Sequence, residues 1–317
     1  MSLPEHMPSY AELPVKPGAP AGSAWGLFGD DDQLGCINLI TPEKAKEAAG
    51  LVKTGKSFSL NWELEKPLPT MFGRGLPRHT IFSASYGRDD VLDNFFPQSS
   101  SQWDGLTHII QPDLQAFYNG VTTEQVTGRP GTKNGIEHWG KRGMVTRGVL
   151  LDVARYLESQ GRPVAGNEPT AFTVEDLEAT RRMHGVEIRQ GDILLVRSGW
   201  MAWYEQASVA ERMPMAYLPN LRTPGLQSSL EMVAYLWDLH VAAVASDNTS
   251  LEAFPMQGVS LHRHMIPLLG LPIGEMFFLE TLAEDCAQDG VYEFMLTSAP
   301  LNLLGGVGSP PNAIAIK

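Results

Sequence analysis

Three short apolar runs limit this chain's possible folds more than any other feature. Met144–Val153 (MVTRGVLLDV), Asp192–Ser198 (DILLVRS) and Val241–Ser246 have the length of strands, and polar residues scarcely interrupt them. Strands of that kind are buried on both faces, which requires helices packed above and below. The segments between them read as such helices. Thr41-Pro42-Glu43 supplies an N-cap, a first-turn proline and an acid near the positive end of the helix dipole, predicting a helix to about Val52. Thr173-Val174-Glu175-Asp176 opens a second capped helix that Gly185 ends. A third is predicted from Pro224 through Leu239, with Leu226, Leu230, Val233, Ala234 and Trp237 at helical spacing.

Shorter alternating segments at Ser57–Trp62 and Thr80–Tyr86 read as strands between turns. Helices near Leu261–Leu269 and Glu280–Gln288 and closing strands at Val291–Ser298 and Ala313–Ile316 follow. Helices and strands interleave from end to end with no repeat and no dividing linker. The expectation is an α/β fold: one domain with a mixed sheet over residues 25–317, preceded by a Pro-, Gly- and Ser-rich arm at residues 1–24 that lies on the surface or on a partner subunit.

Charge narrows the partners. Against 24 Lys+Arg stand 36 Asp+Glu, a net charge of −12. Nucleic-acid binding needs cations that displace counterions from phosphates, so neither nucleic acid nor an anionic membrane surface is expected as a partner. No apolar stretch approaches the roughly 20 residues of a membrane span, and residues 1–19 lack the apolar core of a secretory signal. Cys36 and Cys286, far apart and without CxxC spacing, read as free thiols. A cytoplasmic location is the expectation. Phosphate-loop, GxGxxG, HExxH and GxSxG patterns are absent, and Asp30-Asp31-Asp32 lacks the glycine and distal glutamate of a calcium loop.

Chemistry concentrates in three places. In Ser101–Gly120 (SQWDGLTHIIQPDLQAFYNG), Asp104 and His108 stand four apart and share a face of either a helix or a strand. Carboxylate oxygen and imidazole nitrogen are ordinary ligands of zinc or manganese. In Leu261–Glu275 (LHRHMIPLLGLPIGE), His262 and Glu275 bracket an apolar helix and a Pro-containing turn that can fold back to bring them together. Asp247–Glu252 (DNTSLE) directly follows a buried strand, where α/β proteins often place their sites.

From about Trp25 to Ile316 the chain resembles the putative cyclase family of metal-dependent hydrolases, which includes bacterial kynurenine formamidase, isatin hydrolase and a trans-dienelactone hydrolase. The resemblance runs in order through eight segments: Trp25–Glu43, Ser101–His108, Tyr118–Gly120, Arg147–Val153, Gly191–Trp200, Ser246–Glu252, Leu261–Glu275 and Gly305–Ala313. It implies a swivelling β/β/α-like fold, a divalent metal, hydrolysis of an amide or lactone bond, and a homo-oligomer, dimer or tetramer. The chain departs from the family's HxGTHxD pattern and its later histidine. Aligned on Thr107-His108, Asp104 replaces the first histidine, Leu106 the glycine, Ile110 the aspartate, and Leu114 the later histidine. The chain thus resembles a divergent branch with QWDGLTH.

The resemblance, with the residue chemistry, yields a set of expectations. Asp104, His108 and His262, preferred over His264, hold one zinc or manganese ion. His262 and Glu275 are catalytic, Glu275 as acceptor of the water proton, with Tyr118 a stand-in for the missing histidine base. Trp103 and Phe117, with Tyr118, form an apolar wall for a small cyclic or aromatic substrate, and Asn119 and Asp247 complete its binding site. The rival expectations are a polyketide or lyase-type cyclase using the same pocket, and a metal-free small-molecule binding protein.

Overall fold

The computed structural model describes residue 4 and residues 6–317. Its strands, in chain order, are β1 (Ser57–Ser59), β2 (Arg78–Ala84), β3 (Gly87–Asp93), β4 (Gln102–Asp104), β5 (Met144–Asp152), β6 (Ala171–Phe172), β7 (Ile193–Arg197), β8 (Gly225–Leu226), β9 (Ala243–Ser246), β10 (Ile273–Glu275), β11 (Glu293–Ser298), β12 (Gly308–Ser309) and β13 (Ala313–Ile316). Nine of them form one mixed sheet in the order β1-β13-β11-β5-β7-β9-β10-β4-β12. The three apolar runs become adjacent parallel strands β5, β7 and β9, and β10 extends the parallel set. Antiparallel pairs close both sides.

Burial explains the centre. Val149, Leu150, Leu194, Leu195, Val244 and Ala245 are fully buried, because helices cover both faces. The helix Val174–His184 carries the expected capping box at Thr173 and ends on left-handed Gly185. The helix at Pro42–Ala49 stops short of Val52. The helix expected from Pro224 begins only at Leu230, capped by the Ser229 hydroxyl. The cause is tertiary. The Gly225 amide is held by the Thr170 carbonyl and that of Leu226 by Leu251, so this stretch becomes β8 beside β6. The arm packs on its own chain: the Pro8 carbonyl accepts from Trp237 Nε1 at 2.8 Å, and the Tyr10 amide donates to Asp238 at 2.6 Å. Strands β2 and β3 form a separate two-stranded ribbon outside the main sheet. No helix among the described residues is long and apolar enough to cross a membrane.

Candidate metal centre and pocket

The site is built where β4 pairs with β10. Register places Gln102 opposite Glu275 and Asp104 opposite Ile273, so by strand alternation Gln102, Asp104 and Glu275 share one face. Trp103 and Gly274 occupy the other face, and glycine is required there. A Cβ on Gly274 would lie 2.5 Å from the Ala245 Cβ and 2.8 Å from the Trp103 ring. After β4 the chain turns, with the His108 amide donating to the Gly105 carbonyl at 2.9 Å. That turn carries His108 Nε2 to 3.6 Å from Asp104 Oδ1. His262 enters from the short helix Leu261–His264, whose first turn is capped by the Ser260 hydroxyl.

At the centre, Asp104, His262 and Glu275 offer one ligand atom each, all within 4.8 Å of one another. His262 Nε2 lies 3.0 Å from Glu275 Oε1 and 3.4 Å from Asp104 Oδ2. Ligand bonds of about 2.0–2.2 Å to a divalent transition ion separate neighbouring ligand atoms by roughly 3.0–3.5 Å, so the spacing fits such an ion. A second observation agrees: Asp104 Oδ2 is buried without a hydrogen-bond partner, which is unfavourable for a carboxylate that meets nothing. The outer atoms are held. Glu252 Oε2 accepts from or faces His262 Nδ1 at 2.9 Å. Gln102 Nε2 donates to Glu275 Oε2 at 2.6 Å and to Asp104 Oδ1 at 3.1 Å. A carboxylate on the far nitrogen fixes the ring orientation of a ligating histidine.

The electrostatics follow from burying three acids around one imidazole. Burial, reinforced by the Asp104 charge, pushes Glu275 up to about 7. Burial works against Asp104 as well, but His108 and His262 outweigh it and hold that carboxyl below its usual value. Burial also disfavours a charged His262, yet Glu252, Asp104 and Glu275 together raise it well above an ordinary histidine. His108 moves the other way: its burial exceeds the pull of Asp104 and keeps the ring neutral.

These groups open onto a cavity of about 310 Å³, walled by Phe72, Ile109, Phe254 and Met256, with Arg74, Thr249 and Ser250 as polar members. That is the lower end of the size range for small-molecule sites. His108, His262, Glu252 and Glu275 line it as well. The Thr249 hydroxyl is buried with no partner.

Five expected site residues lie elsewhere, each for a local reason. Trp103 points to the opposite face of β4 and donates to the Ser298 hydroxyl at 2.9 Å. Phe117 is buried in the turn that its amide closes on the Val121 carbonyl. Tyr118 is buried against Gly270 and donates to Asp32 Oδ2 at 3.1 Å, so it is no stand-in base. Asn119 ties down the loop around Gly26, Gly29 and Asp32. Asp247 accepts from the amides of Ser198 and Gly199 and from the Ser198 hydroxyl, anchoring the end of β7. Of the two alternative histidines, His262 faces the cluster, and His264 turns back to the Ser260 carbonyl at 2.9 Å. Glu252 and Gln102 lie within segments that the sequence singles out, but the sequence reading gives neither a role. A signal existed for Gln102, two residues before Asp104 on one strand; for Arg74 and Phe72 there was none.

A family model described as Putative cyclase matches residues 58–253. A crystal structure described as a novel cyclase is 33% identical, covers 93% of this chain and 99% of that one, and superposes with a TM-score of 0.81. Isatin hydrolase A from Ralstonia solanacearum is 17% identical, with 86% and 95% of the two chains covered and a TM-score of 0.53. Isatin hydrolase A from Labrenzia aggregata, in a structure bound to benzyl benzoate, is 16% identical over 84% and 94%, with a TM-score of 0.55. The two isatin hydrolases share the fold. A search of curated proteins finds no match.

Proposed function

This chain belongs to the putative cyclase family, and on that premise we propose that it is a metal-dependent hydrolase opening an amide or lactone bond in a small cyclic or aromatic substrate. The observation that carries this reading is the buried Asp104–His262–Glu275 cluster at the inner end of an apolar cavity. Zinc or manganese suits this oxygen and nitrogen donor set. A bound divalent ion supplies Lewis acidity toward the scissile carbonyl and makes a water molecule more acidic.

The chain's own residues do the rest. Asp104, His262 and Glu275 would hold the ion, with Glu252 and Gln102 fixing their orientation. The sequence expectation makes His108 a ligand and Glu275 the proton acceptor; the geometry favours the reverse. Glu275 Oε2 accepts from Gln102 and its Oε1 faces the ion site, whereas burial favours the neutral form of His108, which borders the cavity and contacts only the second oxygen of Asp104. His108 therefore takes the water proton as the new C–O bond forms. It returns that proton to the leaving nitrogen or oxygen as the C–N or C–O bond breaks. Phe72, Phe254 and Met256 favour a flat ring, and Thr249 is free to hydrogen-bond it. The isatin hydrolases, by their name, act on such a fused cyclic amide.

Isatin and an aromatic lactone are suitable first probes, tested with zinc- or manganese-loaded protein in ¹⁸O-labelled water. One labelled oxygen in the ring-opened product is expected. Ring closure or proton removal without ¹⁸O uptake would point to a lyase-type cyclase. Failure of the purified protein to take up either ion would leave a binding protein.

A further inference from the structure

Two arginines, Arg74 and Arg263, border the cavity, and no acid answers either of them. The chain has 36 Asp+Glu against 24 Lys+Arg, and elsewhere its arginines find carboxylates, as Arg147, Arg155 and Arg197 do. Among the described residues, the Arg74 side chain bonds only to the Gln98 carbonyl and, at 3.2 Å, to Gln102 Oε1. The exposed Arg263 side chain bonds to nothing; only its amide is held, by the Ser260 hydroxyl. The two acids on the cavity wall face other groups. Glu252 faces His262 and Ser260, and Glu275 faces His262 and Gln102.

The Arg74 guanidinium is only half used. Both of its bonds leave from Nη1, and the donors on Nε and Nη2 meet no acceptor among the described residues. That edge presents two parallel N–H groups, the geometry that pairs with both oxygens of a carboxylate. The turn carrying it is unusual. Phe72 has φ +56°, a left-handed backbone that is rare for a bulky residue, and the Arg74 amide closes the turn on the Met71 carbonyl at 3.1 Å. The guanidinium carbon lies 5.2 Å from the centre of the Phe72 ring, so apolar wall and cation form one unit. We propose that the ring opened here carries a carboxylate substituent, held by the Nε–Nη2 edge of Arg74, with Arg263 adding a second positive charge. This rests on the hydrolase reading and adds the charge of its substrate. A chain of net charge −12 repels anions at long range, so an anionic substrate needs local cations such as these.

Isatin-5-carboxylate and isatin-7-carboxylate, each compared with its carboxamide in zinc-loaded protein, test this. The members of a pair differ in charge and little in shape. Calorimetry should show at least one carboxylate binding about 10–100-fold tighter than its carboxamide, the range for hydrogen bonds to a charged group. The same preference should appear in kcat/KM, carried by KM. Arg74→Met should abolish it, and Arg74→Lys, which keeps the charge and loses the paired donors, should cut it about tenfold. Arg263→Gln should cut it about twofold, as suits an exposed charge. Arg74 also steadies Gln102, and the carboxamide controls for that: a disordered site weakens both members equally, and a lost anion subsite weakens the carboxylate more. No preference in either pair overturns the proposal, as does a preference that survives both Arg74 variants or an equal loss for both members. If no probe is hydrolysed, an Arg74-dependent preference in calorimetry still supports the subsite while the hydrolase reading falls. Hydrolysis of both members with equal kcat/KM sinks the subsite and leaves the hydrolase.

Discussion

Two acidic clusters lie buried at the ends of neighbouring strands, and they are built on opposite plans. At the ends of β5, β7 and β9, the acids Asp152, Glu280 and Asp247 are met by donors. Arg197 spans Asp152 at 2.8 Å and both oxygens of Glu280, while Arg155 adds its side chain and amide to Asp152. Between β4 and β10, Asp104, Glu275 and Glu252 instead converge on one imidazole. The nearest guanidinium, Arg74, spends its hydrogen bonds on Gln98 and Gln102. The first cluster has its cations built in. The second is short of positive charge where its acids meet, and one of its oxygens has no hydrogen-bond partner. Buried carboxylates are therefore informative only together with what faces them.

The largest expected effect separates the clusters by function. Asp104→Ala or Glu275→Ala should lower kcat/KM for a hydrolysed probe by about 10³-fold or more, on the order of 4 kcal/mol in transition-state stabilisation. The Tm of the ion-free protein should hold or rise in Glu275→Ala, because that change relieves crowding of acids. A large loss of Tm would place these residues with the structural cluster instead.

Next comes the converse. Arg197→Ala leaves the buried Asp152 and the partly exposed Glu280 without their shared guanidinium, and breaking a buried pair costs up to about 3–5 kcal/mol. Urea unfolding should show that loss, while the surviving folded protein should bind zinc or manganese unchanged. Altered metal affinity at equal folded fraction would mean that the clusters communicate.

The third prediction uses pH. Glu275, at about 7, and Asp247, at about 6, keep their protons when folded at pH values where the unfolded chain has lost them. Each contribution to stability is whole below the unfolded value and is lost as pH rises through the folded one. In EDTA, raising pH from 4.5 to 8 should remove on the order of 3 kcal/mol through Glu275 alone, and Glu275→Gln should flatten that part of the profile. A saturating divalent ion should oppose the trend, because the ion requires the ionised carboxylate. An unchanged slope in Glu275→Gln would refute the raised value.

The smallest effects concern residues that the sequence offered as site members. Tyr118→Phe removes a hydrogen bond to Asp32 and should cost about 1 kcal/mol, with kcat/KM unchanged within about threefold. A greater loss of activity would return Tyr118 to the mechanism.

The architecture was legible because burial on both faces writes continuous apolar runs into a strand, as in β5, β7 and β9. The caps at Thr41 and Thr173 were legible because capping is local chemistry. The Pro224 helix was misread because its first turn is claimed by Thr170 and Leu251, partners distant in the chain. The site divides in the same way. Asp104, His108, His262 and Glu275 do converge around one cavity, and their residue types already marked them. Strand phase decided the exclusion of Trp103: Asp104 faces His262 and Glu275, so its neighbour on β4 cannot. Asp247 carried the right chemistry and the wrong surroundings, and only the fold shows the amides it serves. The walls at Phe72, Phe254 and Met256 come from loops whose approach no local pattern encodes.

Anomalous scattering from crystals soaked in zinc or manganese, recorded on both sides of each absorption edge, tests the central claim most directly. A single strong peak is expected within bonding distance of Asp104 Oδ2, His262 Nε2 and Glu275 Oε1. A peak bound by other side chains, or none at saturating ion, would contradict it.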